Sequence, residues 1–250
     1  MKRTISKVSE SVTMKVVKVK NNEQLSISAR DIIMDVVHSY DKPILGLATG
    51  STPEKTYRFL VEKYMSGEIS FKDVTSFNLD EYVGLAPTNP FSYRHYMNKH
   101  LFGKVNMKQE NIHIPDGLAE DLETECKRFE QTIKDVGPIH LQVLGVGLNG
   151  HIGFNEPGTP FDSRTHVAQL TESTREVNSR FFDSIDEVPK EALTMGIGTI
   201  MEAEQIVLLV QGDHKKDILK QIINGEVSED VPATVLQNHP HAVVITDIDL

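Results

Sequence analysis

The chain is poor in cysteine, in long apolar runs and in basic charge, and each shortage removes a class of protein. Only Cys126 occurs among 250 residues, so neither a disulfide framework nor a cysteine zinc cluster can form within one chain. Leu122, Phe129 and Ile133 share its helical face, which assigns it to a core. No run approaches the ~20 apolar residues of a spanning helix, and no basic start followed by an apolar stretch marks a signal peptide. The expectation is a cytoplasmic protein that does not engage a membrane. Acidic residues outnumber basic ones 36 to 26, for a net charge of −10. Such a surface disfavours nucleic acid, and an anionic ligand would need a few well-placed cations. His100, His113, His140, His166, His239 and His241 are scattered without H-E-x-x-H or comparable spacing, so no metal site is expected. Repeats, low-complexity blocks and linkers are missing too, which leaves residues 14–250 as one domain. Residues 1–13 are polar and aperiodic and read as a disordered extension.

Strand-like and helix-like stretches alternate through the rest. Strands are predicted at 14–19, 43–48, 74–79, 111–115, 139–146, 165–170 and 206–210, with amphipathic helices between most of them. Residues 192–201 read as a further helix, and 231–236 and 241–246 as strands closing the sheet. Strand, helix, strand in this rhythm predicts parallel crossover units.

Chemistry-bearing residues gather after four of the strands. Residues 144–158 pack five glycines with Asn149, His151 and Glu156, where the imidazole and carboxylate could form a base and its orienting partner. A Gly-rich turn with a surface histidine accounts for that stretch by itself equally well. Gly145, Gly147 and Gly150 match dinucleotide-binding spacing, but Asn149-Gly150-His151 and then Asn155-Glu156-Pro157 make a poor helix opening. The turn Thr49-Gly50-Ser51-Thr52-Pro53 opens a helix with Thr52 as its predicted cap; the same turn could hold a phosphate on free N–H groups. Asp80 and Glu81 end a strand, where a partly desolvated acid can act as a base near neutral pH. Lys215 and Lys216 enter a helix against its macrodipole, which hints at an anionic ligand.

Four segments in order resemble the glucosamine-6-phosphate deaminase family: 47–53, 77–84, 150–157 and Asn178-Ser179-Arg180-Phe181-Phe182. The resemblance runs from Met14 over nearly the whole chain. It implies a three-layer αβα sandwich around a mostly parallel, Rossmann-like sheet. It further implies conversion of glucosamine 6-phosphate and water to fructose 6-phosphate and ammonia, without metal or organic cofactor, in amino-sugar catabolism that includes N-acetylglucosamine and N-acetylneuraminate use. Asp80 would be the base that moves a proton from C2 to C1. His151 would assist ring opening, oriented by Glu156, and Thr49, Gly50, Ser51, Thr52, Arg180 and Lys215 match the phosphate-holding positions. Asn149 departs from the pattern, since many members carry aspartate there; an amide supplies no charge to raise the histidine pKa. The partner implied is a small sugar phosphate, with a homo-oligomer left open. The related 6-phosphogluconolactonases share the fold, but would be expected to carry Asp-Glu-Arg where this chain has Asp80-Glu81-Tyr82.

Overall fold

The computed structural model describes residues 14–250; the extension expected at 1–13 lies outside the described residues. Strand β1 (Lys15–Lys18) leads through helix α1 (Asn22–Ser39) to β2 (Ile44–Leu47), then through α2 (Ser51–Met65) to β3 (Thr75–Asn78). After β4 (Asp80–Tyr82) and α3 (Tyr93–His100) comes the short β5 (Ile112–His113), then α4 (Leu122–Val136) and β6 (Leu141–Leu144). The second half runs β7 (His166–Gln169), α5 (Glu172–Asn178), β8 (Glu191–Thr194), α6 (Ile197–Met201), β9 (Gln205–Val210), α7 (Lys216–Asn224) and β10 (Ala242–Thr246).

Seven strands form one sheet in the order β1-β10-β9-β6-β2-β3-β5, and every pairing is parallel. Both faces are covered, so the central strand β9 is apolar on both sides. In β9, Ile206, Leu208 and Val210 pack with Phe129, Ile197 and Leu219 on one face. Val207 and Leu209 pack with Leu25, Tyr57 and Met97 on the other. Helix, sheet and helix thus make the expected three layers. Cys126 is buried in α4, as its helical face predicted.

Two assignments are corrected. Residues 192–201 are not one helix: Glu191–Thr194 is a strand, and only Ile197–Met201 is helical. The apolar run is short enough for either period, and antiparallel pairing of β8 with both β4 and β7 decides it. Those three strands form a second, small sheet. Residues 231–236 do not close the sheet; Pro232–Asn238 is a buried 3-10 helix, started by a proline that lacks the N–H a sheet ladder needs.

The order of the main sheet has one switch point. From β2 the chain steps outward to β3 and β5, whereas from β6 it steps the other way to β9 and β10. Loops leaving β2 and β6 therefore diverge and leave a crevice at the carboxyl ends of the strands, where ligands bind in open α/β sheets.

Candidate active site

The loop after β2 forms one wall of the crevice. Helix α2 begins at Ser51, two residues earlier than predicted, and Thr52 is not its cap. Gly50 holds that position at φ 104° and ψ −178°, with no side-chain cap hydrogen bond, a conformation open to glycine and strained for other residues. The first-turn N–H groups have no partner inside the helix and are not capped by a side chain, which leaves an anion cradle. Two tyrosines fix the loop from behind: the Tyr57 hydroxyl donates to the Ala48 carbonyl, and the Tyr96 hydroxyl donates to the Gly50 carbonyl at 2.6 Å.

The loop after β6 forms the facing wall and opens no helix, in keeping with the poor match to a dinucleotide site. Gly147 N–H donates to the His151 carbonyl and Gly150 N–H to the Gly147 carbonyl, both at 3.0 Å. A side chain at Gly147 would collide with the His151 ring, whose Cε1 lies 2.1 Å from where a Cβ would stand. The ring packs on bare backbone, and only glycine permits it.

His151 Nδ1 lies 2.7 Å from Asn149 Oδ1, and Asn149 Nδ2 donates to Glu156 Oε2 at 2.8 Å. A carboxylate only accepts, so the amide turns its NH2 to Glu156 and its oxygen to the imidazole. Nδ1 then carries the hydrogen and Nε2 is left with a free lone pair. Glu156 Oε2 stands 3.7 Å from Nδ1. Burial holds the His151 pKa below its usual value, with Lys215 adding to that and Glu156 opposing it. The imidazole is neutral near pH 7.

Asp80 and Glu81, adjacent in sequence, have different surroundings. Glu81 accepts the N–H groups of Tyr82, Tyr93 and Arg94 at 2.8–3.0 Å and so anchors the first turn of α3. Asp80 is 7% exposed and pairs across the small sheet with Thr194. Burial, with the Glu81 charge second, pushes its carboxyl up to about 8. Thr194 Oγ1 also accepts the Phe154 N–H at 3.0 Å, and a Cβ at Gly153 would lie 3.8 Å from Asp80 Oδ2. The small sheet thereby brings the Asp80 carboxylate to the His151 loop. Sequence reasoning missed this link, because Thr194 fell inside the misassigned helix.

Lys215 lies in a single 3-10 turn before α7 rather than in the α-helix itself. Its Nζ reaches across to donate to the Val146 carbonyl at 2.7 Å, which places it over the β6 loop. Its pKa is lowered by burial and then by the charge of Arg180, so the two cations share one locality. Arg180 is exposed and its guanidinium stacks over Phe181 at 4.6 Å. Arg175, on the same segment, is spent on the carbonyls of Ile185 and Val188. No cluster of His, Cys, Asp and Glu fit for a metal exists among the described residues.

With this geometry in place, comparison with known proteins decides the family. The family model for glucosamine-6-phosphate isomerases/6-phosphogluconolactonase matches residues 21–245. The chain belongs to this family. It is 51% identical over 234 residues to a glucosamine-6-phosphate deaminase of Oceanobacillus iheyensis, covering 94% of both chains. It is 49% identical to that of Thermoanaerobacter pseudethanolicus, covering 94% of this chain and 92% of the other. A solved monomeric glucosamine-6-phosphate deaminase superposes with a TM-score of 0.92 at 47% identity, covering 93% of this chain and 97% of that one. A 6-phosphogluconolactonase from Thermotoga maritima has the same fold, with a TM-score of 0.73 at 18% identity and coverage of 94% and 98%.

Proposed function

We propose that this chain is a glucosamine-6-phosphate deaminase that converts glucosamine 6-phosphate and water to fructose 6-phosphate and ammonia. The observation that carries the reading is the Asp80 carboxylate, buried and short of ordinary acidity, set against the loop of a neutral histidine whose Nε2 is free. The phosphate would sit on the N–H groups at 49–52, with Arg180 and Lys215 supplying the positive charge that a protein of net −10 otherwise lacks. Anchored there, the sugar extends toward Asp80 and His151.

Ring opening comes first. Nε2 of His151 takes the anomeric hydroxyl proton as the ring C1–O bond breaks, and the imidazolium returns a proton to the departing ring oxygen. The open chain then presents an aldehyde at C1 and an ammonium at C2. Asp80, ionised, removes the C2 proton while the ammonium passes one proton to the aldehyde oxygen, which gives an enolamine, and the resulting carboxylic acid delivers the C2 proton to C1. A group with pKa about 8 suits both halves, since it gives up the proton nearly as readily as it takes it. C2 is now an iminium; water adds to it, the C–N bond breaks and ammonia leaves, which yields the ketone.

The same reading assigns the protein to amino-sugar catabolism in the cytoplasm, including N-acetylglucosamine and N-acetylneuraminate use. All the named residues lie on one chain, so the reaction as drawn needs no second subunit. Ammonia and fructose 6-phosphate release from glucosamine 6-phosphate tests it. The intact protein should turn over and Asp80→Asn should lose at least about three orders of magnitude in kcat, the scale of a missing acid–base group. Saturable binding of the sugar phosphate without turnover would instead leave His151 and Glu156 as ligand contacts in a sensor.

A further inference from the structure

Beyond the residues that face the crevice, Glu156 has a second donor, on an element that comes after β7. The Thr174 hydroxyl, buried in the first turn of α5, donates to Glu156 Oε1 at 2.6 Å. Its direction is fixed by its partner, since a carboxylate only accepts. Thr171 Oγ1, whose oxygen accepts the Thr174 N–H at 3.2 Å as the N-cap of α5, donates its own proton to Thr174 Oγ1 at 3.0 Å. Thr174 therefore has an occupied acceptor and one proton to give, and Glu156 is where that proton goes. With the amide of Asn149 on Oε2, both carboxylate oxygens are held, one from the histidine's loop and one from α5.

We propose that Thr174 is a positioning residue for the reaction: it holds the Glu156 carboxylate in the orientation that keeps Oε2 facing Nδ1 of His151 and Nδ2 of Asn149. A carboxylate with a single donor can swing about that bond, whereas two donors on opposite oxygens fix its plane. Because the residue at 149 is an amide, Glu156 is the carboxylate that the imidazolium meets during ring opening. The orientation of Glu156 then sets how well that transient charge is stabilised. This inference rests on the deaminase reading for its kinetic part only.

The test is Thr174→Val, which keeps the branched shape and deletes the donor, beside Thr174→Ser, which keeps the donor. Expected for Thr174→Val is a fall in kcat of about tenfold, the effect of one charge-assisted hydrogen bond, with KM for glucosamine 6-phosphate changed by less than about twofold. Thr174→Ser should recover kcat to within about threefold. If Thr174 merely tethers α5, the loss would move Arg180 and appear in KM, and that outcome overturns the proposal. A second readout needs no turnover. The His151 titration, followed by NMR of the ring nitrogens in the ligand-free protein, should shift to lower pH by about half a unit in Thr174→Val, because the carboxylate that opposes the burial effect is no longer held. An unshifted titration overturns the proposal even if the deaminase reading stands. A shifted titration in a protein that releases no ammonia upholds it while the deaminase reading fails. Should valine not be tolerated, Thr174→Cys, of similar bulk and much weaker donor strength, reads the same contact.

Discussion

At the scale of single residues, Asp80 carries the sharpest consequence. A base must be ionised, so kcat/KM for glucosamine 6-phosphate should rise with pH and level off above about 8, following the Asp80 carboxyl. Its burial has a second effect with a definite sign. A carboxyl whose folded pKa is raised from 3.8 to about 8 contributes stability below the unfolded value and loses it progressively as pH climbs through the folded one. Asp80→Asn removes that charge. It should therefore raise the melting temperature by several degrees at pH 8–9 and change it little at pH 4. A scan of melting temperature against pH for both proteins checks this; a variant less stable at pH 9 would show that the ionised carboxylate is satisfied in the fold.

At the scale of elements, α3 joins two strand ends that the sequence presents as unrelated. Its first turn rests on Glu81, beside the proposed base, and Tyr96 in its middle holds the Gly50 carbonyl of the proposed phosphate loop. Nothing in the spacing of residues 93–101 announced this, because a hydroxyl reaching a carbonyl 46 residues away is a tertiary fact. Tyr96→Phe should raise KM for glucosamine 6-phosphate about three- to tenfold and leave kcat within about twofold, since one hydrogen bond of ~1 kcal/mol positions the cradle and none of the chemistry passes through it. Inorganic phosphate, as a competitive inhibitor, should weaken in parallel. If only kcat fell, the cradle would lie elsewhere.

At the scale of the whole molecule, the small sheet must be held to the large one, and Glu130 does this. From α4 it accepts the N–H and hydroxyl of Thr165, just before β7, at 2.8 and 2.7 Å, and the guanidinium of Arg164 at 2.9 Å. It also accepts the hydroxyl of Thr199 in α6. Burial raises its carboxyl, but the hydrogen bonds of Thr199, Thr165 and Arg164 outweigh that and hold it below the usual range. Glu130→Ala should cost about 3–5 kcal/mol, as expected when one member of a buried charged network is removed, measured by urea unfolding. Glu130 lies outside the proposed catalytic set, so kcat of the folded variant should stay within about threefold of the parent. A loss under about 1 kcal/mol would show that the network adds nothing net.

The main sheet was legible in the sequence because its strands are short apolar runs between amphipathic helices, and local periodicity encodes both. The candidate residues of the crevice were proposed on the same local grounds, since glycines, carboxylates and cations after strand ends are what open α/β sheets use to hold ligands. The tertiary structure alone decided which of those ends meet. Asp80 reaches the His151 loop through Thr194, in a strand whose period was ambiguous until its antiparallel partners fixed it. Glu156 finds Thr174 through a contact 18 residues distant. Hydrogen bonds between separate elements leave no periodic trace in a sequence; they exist only once burial of the apolar faces has brought those elements together.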